Sequence, residues 1–406
     1  MKKNISWRPI VENKIISSHL NLISNALYES IPENNYSLFC GDLGIALFFY
    51  YYWLFTKDTK YYDKANAFLI NGLNKFGYFN KSLYSICNGI CGFMWAIHHL
   101  SENDFIDADC EELFKEEDLN LSLLMMSDIK TGKYDYLHGA LGPGFYFLAR
   151  NSKKSMEFVK SLIVILEQIA DKDKNGLKWR SQLDPELGDV YNTGMAHGMA
   201  SIIVFLCEAY KQEIYKDQTK KLLIGTINYI LSLKSEKPDL IRGSFFPNFV
   251  SADDKSMEFR SRLGWCYGDI GVGLSLLFAS KVLANGEWGK IAIKVLIQTT
   301  LRKDPRKESI NDAGICHGAA GLTHIYNRLY QYTKLEVFKN SAIYWLQLSL
   351  RKAAFNNGIA GYKSYVSDNK LVNDKGLLTG AAGIGLVYIS AASDVEPKWD
   401  KCFLIS

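Results

Sequence analysis

Residues Gly41 to Phe55 read GDLGIALFFYYYWLF, a G-x-x-G turn followed at once by an apolar run. The same pattern recurs at six further places in the chain of 406 residues, although the fourth turn carries Ser201 in place of its second glycine. The first glycines lie 48 to 70 residues apart, a spacing that accommodates two helices and their connections. The seven turns begin at Gly41, Gly89, Gly139, Gly198, Gly268, Gly318 and Gly380.

The segments between these turns mix charged and apolar residues at helical spacing, whereas the runs after the glycines are almost entirely apolar. This contrast predicts an all-α chain of seven buried inner helices and seven amphipathic outer helices. A closed ring, the α/α toroid, covers both faces of the inner helices, and an open solenoid is the alternative. No linker rich in Pro, Gly or Ser divides the sequence, so one domain over residues 1–406 is expected. The clearest outer segments are 154–170, 213–233, 287–301 and 335–350.

The amino-acid composition and the net charge exclude several classes of protein. Aromatic residues make up 13% and charged residues 22% of the chain, which excludes long disorder. The net charge of +4 is too small to indicate nucleic-acid binding. The apolar run from Gly44 to Phe55 is shorter than the roughly 20 residues of a membrane-spanning helix, and the N-terminus lacks the apolar stretch of a signal peptide. We therefore expect a cytoplasmic protein whose eight cysteines are thiols or metal ligands.

The residues just before each first glycine are unusual in composition. In a closed ring, all inner helices begin at the same end, so these residues should cluster in space. Three of the seven histidines and four of the eight cysteines stand at these positions. The pairs are Phe39-Cys40, Cys87-Asn88, Leu137-His138, Ala196-His197, Cys266-Tyr267, Cys316-His317 and Leu378-Thr379.

Among these pairs, Cys266, Cys316 and His317 are the strongest metal candidates. Zinc takes thiolate and imidazole ligands, and catalytic zinc sites combine three protein ligands with an open fourth position. Helix N-termini also favour thiolates. Buried free cysteines beside a turn histidine are the alternative. A Cys-His pair with a second cysteine in the equivalent turn of the preceding unit favours zinc.

The motifs WCYG at 265–268 and CHG at 316–318, within seven G-x-x-G turns, resemble the lanthionine synthetase cyclase (LanC) family over essentially the whole chain. The resemblance implies an α/α toroid of seven inner and seven outer helices. It also implies one Zn²⁺ per chain, held by Cys266, Cys316 and His317.

The same resemblance implies a set of catalytic residues. They are His197 in an A-H-G turn, Asp135 four residues before the first glycine of the third turn, Arg262 four residues before Cys266, and Tyr267 directly after that cysteine. From the sequence alone, a capping role for His197, a turn carboxylate at Asp135 and a surface ion pair at Arg262 remain open.

The family reaction adds a peptide cysteine thiol to dehydroalanine or dehydrobutyrine and forms a lanthionine or methyllanthionine ring. A free thiol has a pKa of about 8.5, so activation by zinc suits this chemistry. His197 is expected to protonate the enolate at Cα, and Asp135 to orient and charge the imidazole. Arg262 would stabilise the enolate oxygen, and Tyr267 would donate a hydrogen bond or pack.

The resemblance implies a dehydrated precursor peptide as substrate, with a separate dehydratase and a transporter as partners in a modification complex at the inner face of the membrane. Other functions stay open. A zinc-thiolate enzyme of this fold could conjugate glutathione to an electrophile or transfer a prenyl group, and a peptide-binding subunit with structural zinc is a third class. Neither His138 nor the cysteines at 40, 87 and 91 receive a role, and core packing is preferred for these cysteines over a second metal.

Overall fold

The computed structural model describes residues 7–33, 35–76, 83–181, 189–239, 243–253, 255–367 and 370–406. Within these ranges the chain forms fifteen α-helices and a short C-terminal 3-10 helix, Lys398–Phe403. The helices are α1 Asn13–Tyr28, α2 Asp42–Thr56, α3 Thr59–Lys75, α4 Ile90–Glu102, α5 Cys110–Leu113, α6 Lys115–Lys130, α7 Leu141–Arg150, α8 Lys153–Gln168, α9 Met199–Lys211, α10 Lys216–Ser232, α11 Asp269–Val282, α12 Gly286–Thr299, α13 Ala319–Thr333, α14 Glu336–Arg351 and α15 Ala381–Ala392.

The predicted alternation of inner and outer helices is confirmed. Each G-x-x-G turn leads into one of the inner helices, which are α2, α4, α7, α9, α11, α13 and α15. The first eleven residues of α2 are all buried, as are the first eleven of α15. The outer helices α1, α3, α6, α8, α10, α12 and α14 bury only one face, for example Val159, Leu162, Ile163 and Leu166 of α8. Among the described helices none has the length and apolar character to cross a membrane.

The second glycine of the G-x-x-G turn has a steric reason. A Cβ atom on Gly321 would lie 1.9 Å from the carbonyl oxygen of Ile315, and one on Gly383 would lie 2.0 Å from the carbonyl oxygen of Leu377. In both turns the helix folds back onto the residue six positions earlier, so a side chain would collide with fixed backbone. This explains why the motif recurs with small residues at this position.

The chain divides into two compact units. The first comprises Met1–Leu83, Cys87–His99 and Ser309–Ser406, and the second comprises Tyr84–Ile86 and Leu100–Glu308. The structure thus groups the chain into two units, and the expectation of a single domain over residues 1–406 stays a prediction.

In the first unit, α15 packs against both α1 and α2, so the last inner helix lies beside the first, a contact that an open solenoid lacks. The turns are joined by backbone hydrogen bonds. The N–H of Cys316 donates to Leu378 at 3.0 Å, that of Leu378 to Phe39 at 2.9 Å, and that of Phe39 to Cys87 at 3.3 Å. The residues before the glycines of the sixth, seventh, first and second turns therefore do cluster.

In the second unit, α9 packs against both α7 and α11, each inner helix lying beside the next in sequence. Here the N–H of Tyr136 donates to Ala196 at 3.2 Å, and that of Ala196 donates to Cys266, also at 3.2 Å. These bonds align the third, fourth and fifth turns side by side. The predicted clustering of the residues before the glycines is confirmed within this unit as well.

Within the described residues, seven short strands, which the helical pattern did not predict, lie in connections that lead towards inner helices. They pair antiparallel: β1 pairs with β2, β4 pairs with both β3 and β5, and β6 pairs with β7. With two or three residues each, they are too short for alternation to be read from sequence. The strands are β1 Asp171–Asp173, β2 Gly176–Lys178, β3 Val190–Asn192, β4 Phe249–Ser251, β5 Met257–Glu258, β6 Ser364–Tyr365 and β7 Leu371–Val372.

Candidate active site

An imidazole and a carboxylate meet where the third and fourth turns lie side by side. His197 stands two residues before α9, and its Nδ1 contacts Oδ2 of Asp135. The other carboxylate oxygen, Oδ1, accepts the backbone N–H of His138 at 2.5 Å. Asp135 is only 4% exposed, so both oxygens are held by the turns rather than by water. The structure thus brings together two of the predicted catalytic residues.

This pairing sets the charge of His197. Burial disfavours the imidazolium, but the hydrogen bond and the negative charge of Asp135, together with the Cys266 sulfur, outweigh burial and raise the pKa of His197. A protonated imidazole can donate a proton, and the carboxylate on Nδ1 leaves Nε2 as the ring nitrogen available to a substrate. The pairing therefore positions an imidazole whose raised pKa favours the protonated form.

Three further predicted residues come from the fifth turn. The ring of Tyr267 lies 5.6 Å from that of His197, centroid to centroid. One guanidinium nitrogen of Arg262, Nη2, lies 3.7 Å from the Cys266 sulfur. Burial is the main reason that the pKa of Tyr267 rises to about 12, so its hydroxyl keeps its proton at neutral pH. The Arg262 guanidinium thus contacts the Cys266 sulfur.

His138, which received no role from sequence, lies beside this pair. Its ring stacks on His197 at a centroid distance of 6.0 Å and an interplanar angle of 13°. Burial lowers the pKa of His138, and the neighbouring His197 adds to that effect, although Asp135 opposes it. His138 also lines a cavity of about 120 Å³, together with Asp135, Tyr134 and Ser181. The pKa values of the two stacked imidazoles are therefore shifted in opposite directions.

The remaining predicted residues belong to the first unit. Cys316 is 8% exposed. The Nδ1 of His317 lies 3.9 Å from Oδ2 of Asp312, a carboxylate that is itself held by the backbone N–H groups of Gly314 and Tyr365. A carboxylate beside an imidazole is the usual support of a metal-binding histidine.

The donor chemistry of the predicted metal ligands fits zinc. Cys266 and Cys316 are thiols and not disulfides, and His317 has a carboxylate at one ring nitrogen. In the described part of the chain, however, no group of three or more His, Cys, Asp or Glu side chains is arranged as a metal site. The zinc ion and its three ligands therefore stay a prediction.

Two supporting residues were missed by sequence reasoning. Asn192, at the end of β3, hydrogen-bonds the Tyr267 side chain, and Asp312 supports His317. Both stand six residues before the first glycine of their turn, and in both the side chain accepts the N–H of the residue two positions later. The same position holds Asn35 and Asp374 in other turns, so an Asx residue at a fixed distance from the glycine was the available signal.

Known proteins are similar to this chain in sequence and in fold. A sequence profile of the family described as "Lanthionine synthetase C-like protein" matches residues 32–404. Nisin biosynthesis protein NisC of Lactococcus lactis subsp. lactis is 26% identical over 308 residues, which cover 69% of this chain and 70% of NisC. Glutathione S-transferase LANCL1 of Danio rerio is 24% identical over 345 residues, covering 79% of this chain and 75% of LANCL1.

Among solved structures, one described as nisin cyclase superimposes with a TM-score of 0.76 at 19% sequence identity, over 97% of this chain and 98% of that one. At this identity the similarity concerns the fold alone. It confirms the predicted fold class, all-α and of the α/α-toroid type.

Proposed function

This chain belongs to the lanthionine synthetase C-like family, and on that premise we propose that it is a cyclase that forms thioether rings in a dehydrated peptide. A cysteine thiol of the peptide adds to Cβ of dehydroalanine or dehydrobutyrine. The S–H proton leaves, a C–S bond forms, and a proton is delivered to Cα. The observation that carries the proposal is the Asp135–His197 pair, which lies in one unit with the Cys266 sulfur.

The proposed site residues act at two places, on the substrate sulfur and on the carbon that it attacks. Zn²⁺ bound by Cys266, Cys316 and His317 would supply the Lewis acidity that keeps a substrate thiol deprotonated at neutral pH. Arg262 contacts the Cys266 sulfur, so its positive charge balances negative charge on that sulfur. Asp312 lies 3.9 Å from Nδ1 of His317 and would orient the ring from that side.

His197 acts on the carbon side of the reaction. Addition of sulfur to Cβ leaves an enolate, which must receive a proton at Cα. Because Asp135 raises the pKa of His197 and so favours its protonated form, Nε2 is suited to deliver that proton. Arg262 has five N–H donors, so a guanidinium that contacts the sulfur can also stabilise the enolate oxygen. The Tyr267 hydroxyl keeps its proton and is a donor beside the same imidazole.

A second candidate follows from the relative described as a glutathione S-transferase. The same residues would then activate the glutathione thiol and protonate the carbon that accepts it, so an intermolecular conjugation replaces the ring closure. The chemistry at sulfur and at carbon is identical. The two functions differ only in whether nucleophile and electrophile share one peptide.

The proposed reaction also defines partners. Dehydroalanine and dehydrobutyrine arise from serine and threonine by loss of water, so a separate dehydratase must act first. We place the cyclase in the cytoplasm with that dehydratase and the peptide transporter.

Mass spectrometry tests the proposal. The purified chain, supplied with Zn²⁺, is incubated with a synthetic peptide that carries one dehydroalanine and one cysteine. Cyclisation leaves the peptide mass unchanged and removes its alkylatable thiol. With glutathione present, conjugation would instead add the mass of glutathione. A peptide that keeps its alkylatable thiol without glutathione, and gains no mass when glutathione is present, would contradict both functions.

A matched pair of variants links the activity to the site. His197→Asn should slow ring formation by about 10²–10⁴-fold, the usual contribution of a general acid. His19→Asn makes the same change on α1, an outer helix of the first unit, and should leave the rate unchanged. Equal rates for the two variants would remove His197 from the mechanism.

A further inference from the structure

Two cysteines of the first unit meet outside the proposed cyclase site. Cys40 directly precedes the glycine that begins the first turn, and Cys87 lies two residues before the glycine of the second turn. The backbone N–H of Phe39 donates to the carbonyl of Cys87 at 3.3 Å, so the two turns lie side by side. The side chains of Cys40 and Cys87 are themselves hydrogen-bonded to each other.

The two thiols differ in their access to solvent. Cys40 is exposed, whereas Cys87 is only 4% exposed. Cys40 also lines a cavity of about 410 Å³, which Glu33, Asp374 and Lys375 share. A small reagent can therefore reach Cys40 first, while Cys87 is reached through Cys40.

The environment of Cys40 favours its reactive form. The hydrogen bond from Cys87 lowers the pKa of Cys40, and this effect exceeds the opposing effects of burial and of the Asp374 carboxylate. The thiolate is the nucleophile in exchange reactions with disulfides. An accessible cysteine with a stabilised thiolate and a buried thiol in contact is the arrangement of an attacking and a resolving cysteine.

We propose that Cys40 and Cys87 form a redox-active dithiol that closes to a disulfide in exchange with a small-molecule disulfide. The Cys40 thiolate attacks one sulfur of the small disulfide, which breaks its S–S bond and releases one thiolate. Cys87 then loses its proton and attacks the Cys40 sulfur, which forms the protein disulfide and releases the second thiolate. Two electrons pass to the small disulfide, and the two protein protons leave on its two thiols.

The neighbouring Cys91 is the natural comparison. It lies four residues after Cys87, inside α4, and is fully buried. The hydrogen bond to Cys40 is made by Cys87, so Cys87 is the resolving residue. Among the described residues, no group of three or more His, Cys, Asp or Glu is arranged as a metal site at these cysteines.

The test uses the full chain and hydroxyethyl disulfide as the oxidant. After a time course the thiols are capped with N-ethylmaleimide, and the intact mass and the cross-linked peptides are measured. Wild-type protein should lose two alkylatable thiols, retain no mercaptoethanol adduct, and show a Cys40–Cys87 link. A stable adduct without loss of a second thiol would overturn the proposal, and so would a link between Cys87 and Cys91.

Three variants separate the steps. Cys87→Ser should hold one mercaptoethanol on Cys40, because the resolving thiol is absent. Cys40→Ser should react at neither position, and Cys91→Ser, the matched control, should behave as wild type. Disulfide formation in Cys40→Ser would refute the assignment.

If Cys87→Ser does not fold, the presence or absence of a transient adduct in the wild-type time course decides the same question. No outcome depends on cyclase activity, so this proposal fails independently of the proposed function.

Discussion

The Nδ1 atom of His197 contacts Oδ2 of Asp135, although 62 positions separate the two residues in the chain. The contact exists because the backbone N–H of Tyr136 donates to the carbonyl of Ala196, which fixes the third turn against the fourth. A carboxylate held at 4% exposure by backbone bonds cannot turn away from the imidazole. The packing of the third turn against the fourth therefore places the carboxylate that raises the pKa of His197.

Replacement of the carboxylate tests this relationship. In Asp135→Asn the amide keeps the shape but loses the negative charge, so the pKa of His197 should fall. Ring formation at neutral pH should slow by about 10²–10⁴-fold, because less of the general acid is protonated. The imidazole titration is followed by NMR in the free protein, and the rate is measured as a function of pH.

The raised pKa of His197 also determines how the contribution of the Asp135–His197 pair to the free energy of unfolding changes with pH. The pair stabilises the fold fully below the unfolded-state pKa of about 6.5, and this contribution disappears as the pH rises through the higher folded-state pKa. Asp135→Asn should thus cost more stability at pH 6 than at pH 9, as measured by urea unfolding. Asp63→Asn, an exposed change on α3, is the control. An unchanged His197 titration in Asp135→Asn would contradict the pairing.

Sequence reasoning reached the helical repeat because steric contact with the backbone favours glycine at the second position of most turns. At Gly321 and Gly383 a side chain would collide with the carbonyl of residue 315 or 377, so the pattern is visible without any structure. The proximity of the turns followed from the ring topology. The contact of Asp135 with His197 came from the family resemblance, because neither spacing nor composition identifies a partner 62 residues away.

Other features left only a weak signal in the sequence. Asn192 and Asp312 act through side-chain bonds to backbone N–H groups, and Asn and Asp are too common for one occurrence to be noticed. Only their shared distance from the glycine marks them. The contact of Cys40 with Cys87 joins two turns at positions that differ by one residue in register, so the repeat alone did not align these sulfurs.

A glycine substitution tests the steric account of the turns. Gly321→Ala should destabilise the protein by about 3 kcal/mol, since its Cβ would meet a fixed carbonyl oxygen of Ile315 and the helix must shift. Gly286→Ala is the matched control, because at this first residue of α12 nothing lies within 4 Å of the added atom. Denaturant unfolding measures both. Equal stabilities would show that α13 tolerates the side chain.

The C-terminal 3-10 helix is held by a buried carboxylate in the first unit. Asp400 is fully buried, and it accepts from Nε2 of His324 at 2.8 Å and from Nε of Arg328 at 2.9 Å. Asp400→Asn leaves the arginine without its buried counter-charge and should cost roughly 3–5 kcal/mol of unfolding free energy. Denaturant unfolding at neutral pH gives the value.

The second carboxylate beside Arg328, that of Glu396, provides the control for Asp400→Asn. Its Nη1 lies 3.4 Å from the Glu396 carboxylate, which is 49% exposed, so Glu396→Gln should change stability by less than about 1 kcal/mol. Burial opposes the charge of Asp400, but Arg328 and His324 prevail and lower its pKa. The Asp400 contribution is therefore present above the unfolded-state pKa of about 3.9 and is lost as the pH falls through the folded value. A similar cost for both variants would contradict this account.

Metal content tests the predicted zinc ligands directly. We expect one Zn²⁺ per chain in the purified protein and a large loss in Cys266→Ala, Cys316→Ala and His317→Ala, because each change removes one of three donors. Asp312→Asn should weaken zinc affinity by about 10–100-fold, as expected when the support of a metal-binding histidine is removed. Zinc is quantified by elemental mass spectrometry, and affinity by competition with a chelator.

Cys207→Ala is the control for the loss of a buried thiol. Cys207 lies inside α9, fully buried, and burial raises the pKa of its thiol, so it is a poor ligand and its loss should leave the zinc content unchanged. The four ligand and support variants must keep their helical circular dichroism for the comparison to hold. A full complement of zinc in Cys316→Ala would refute the ligand assignment. The Asp135–His197 pair, which lies wholly within the second unit, would be unaffected by that result.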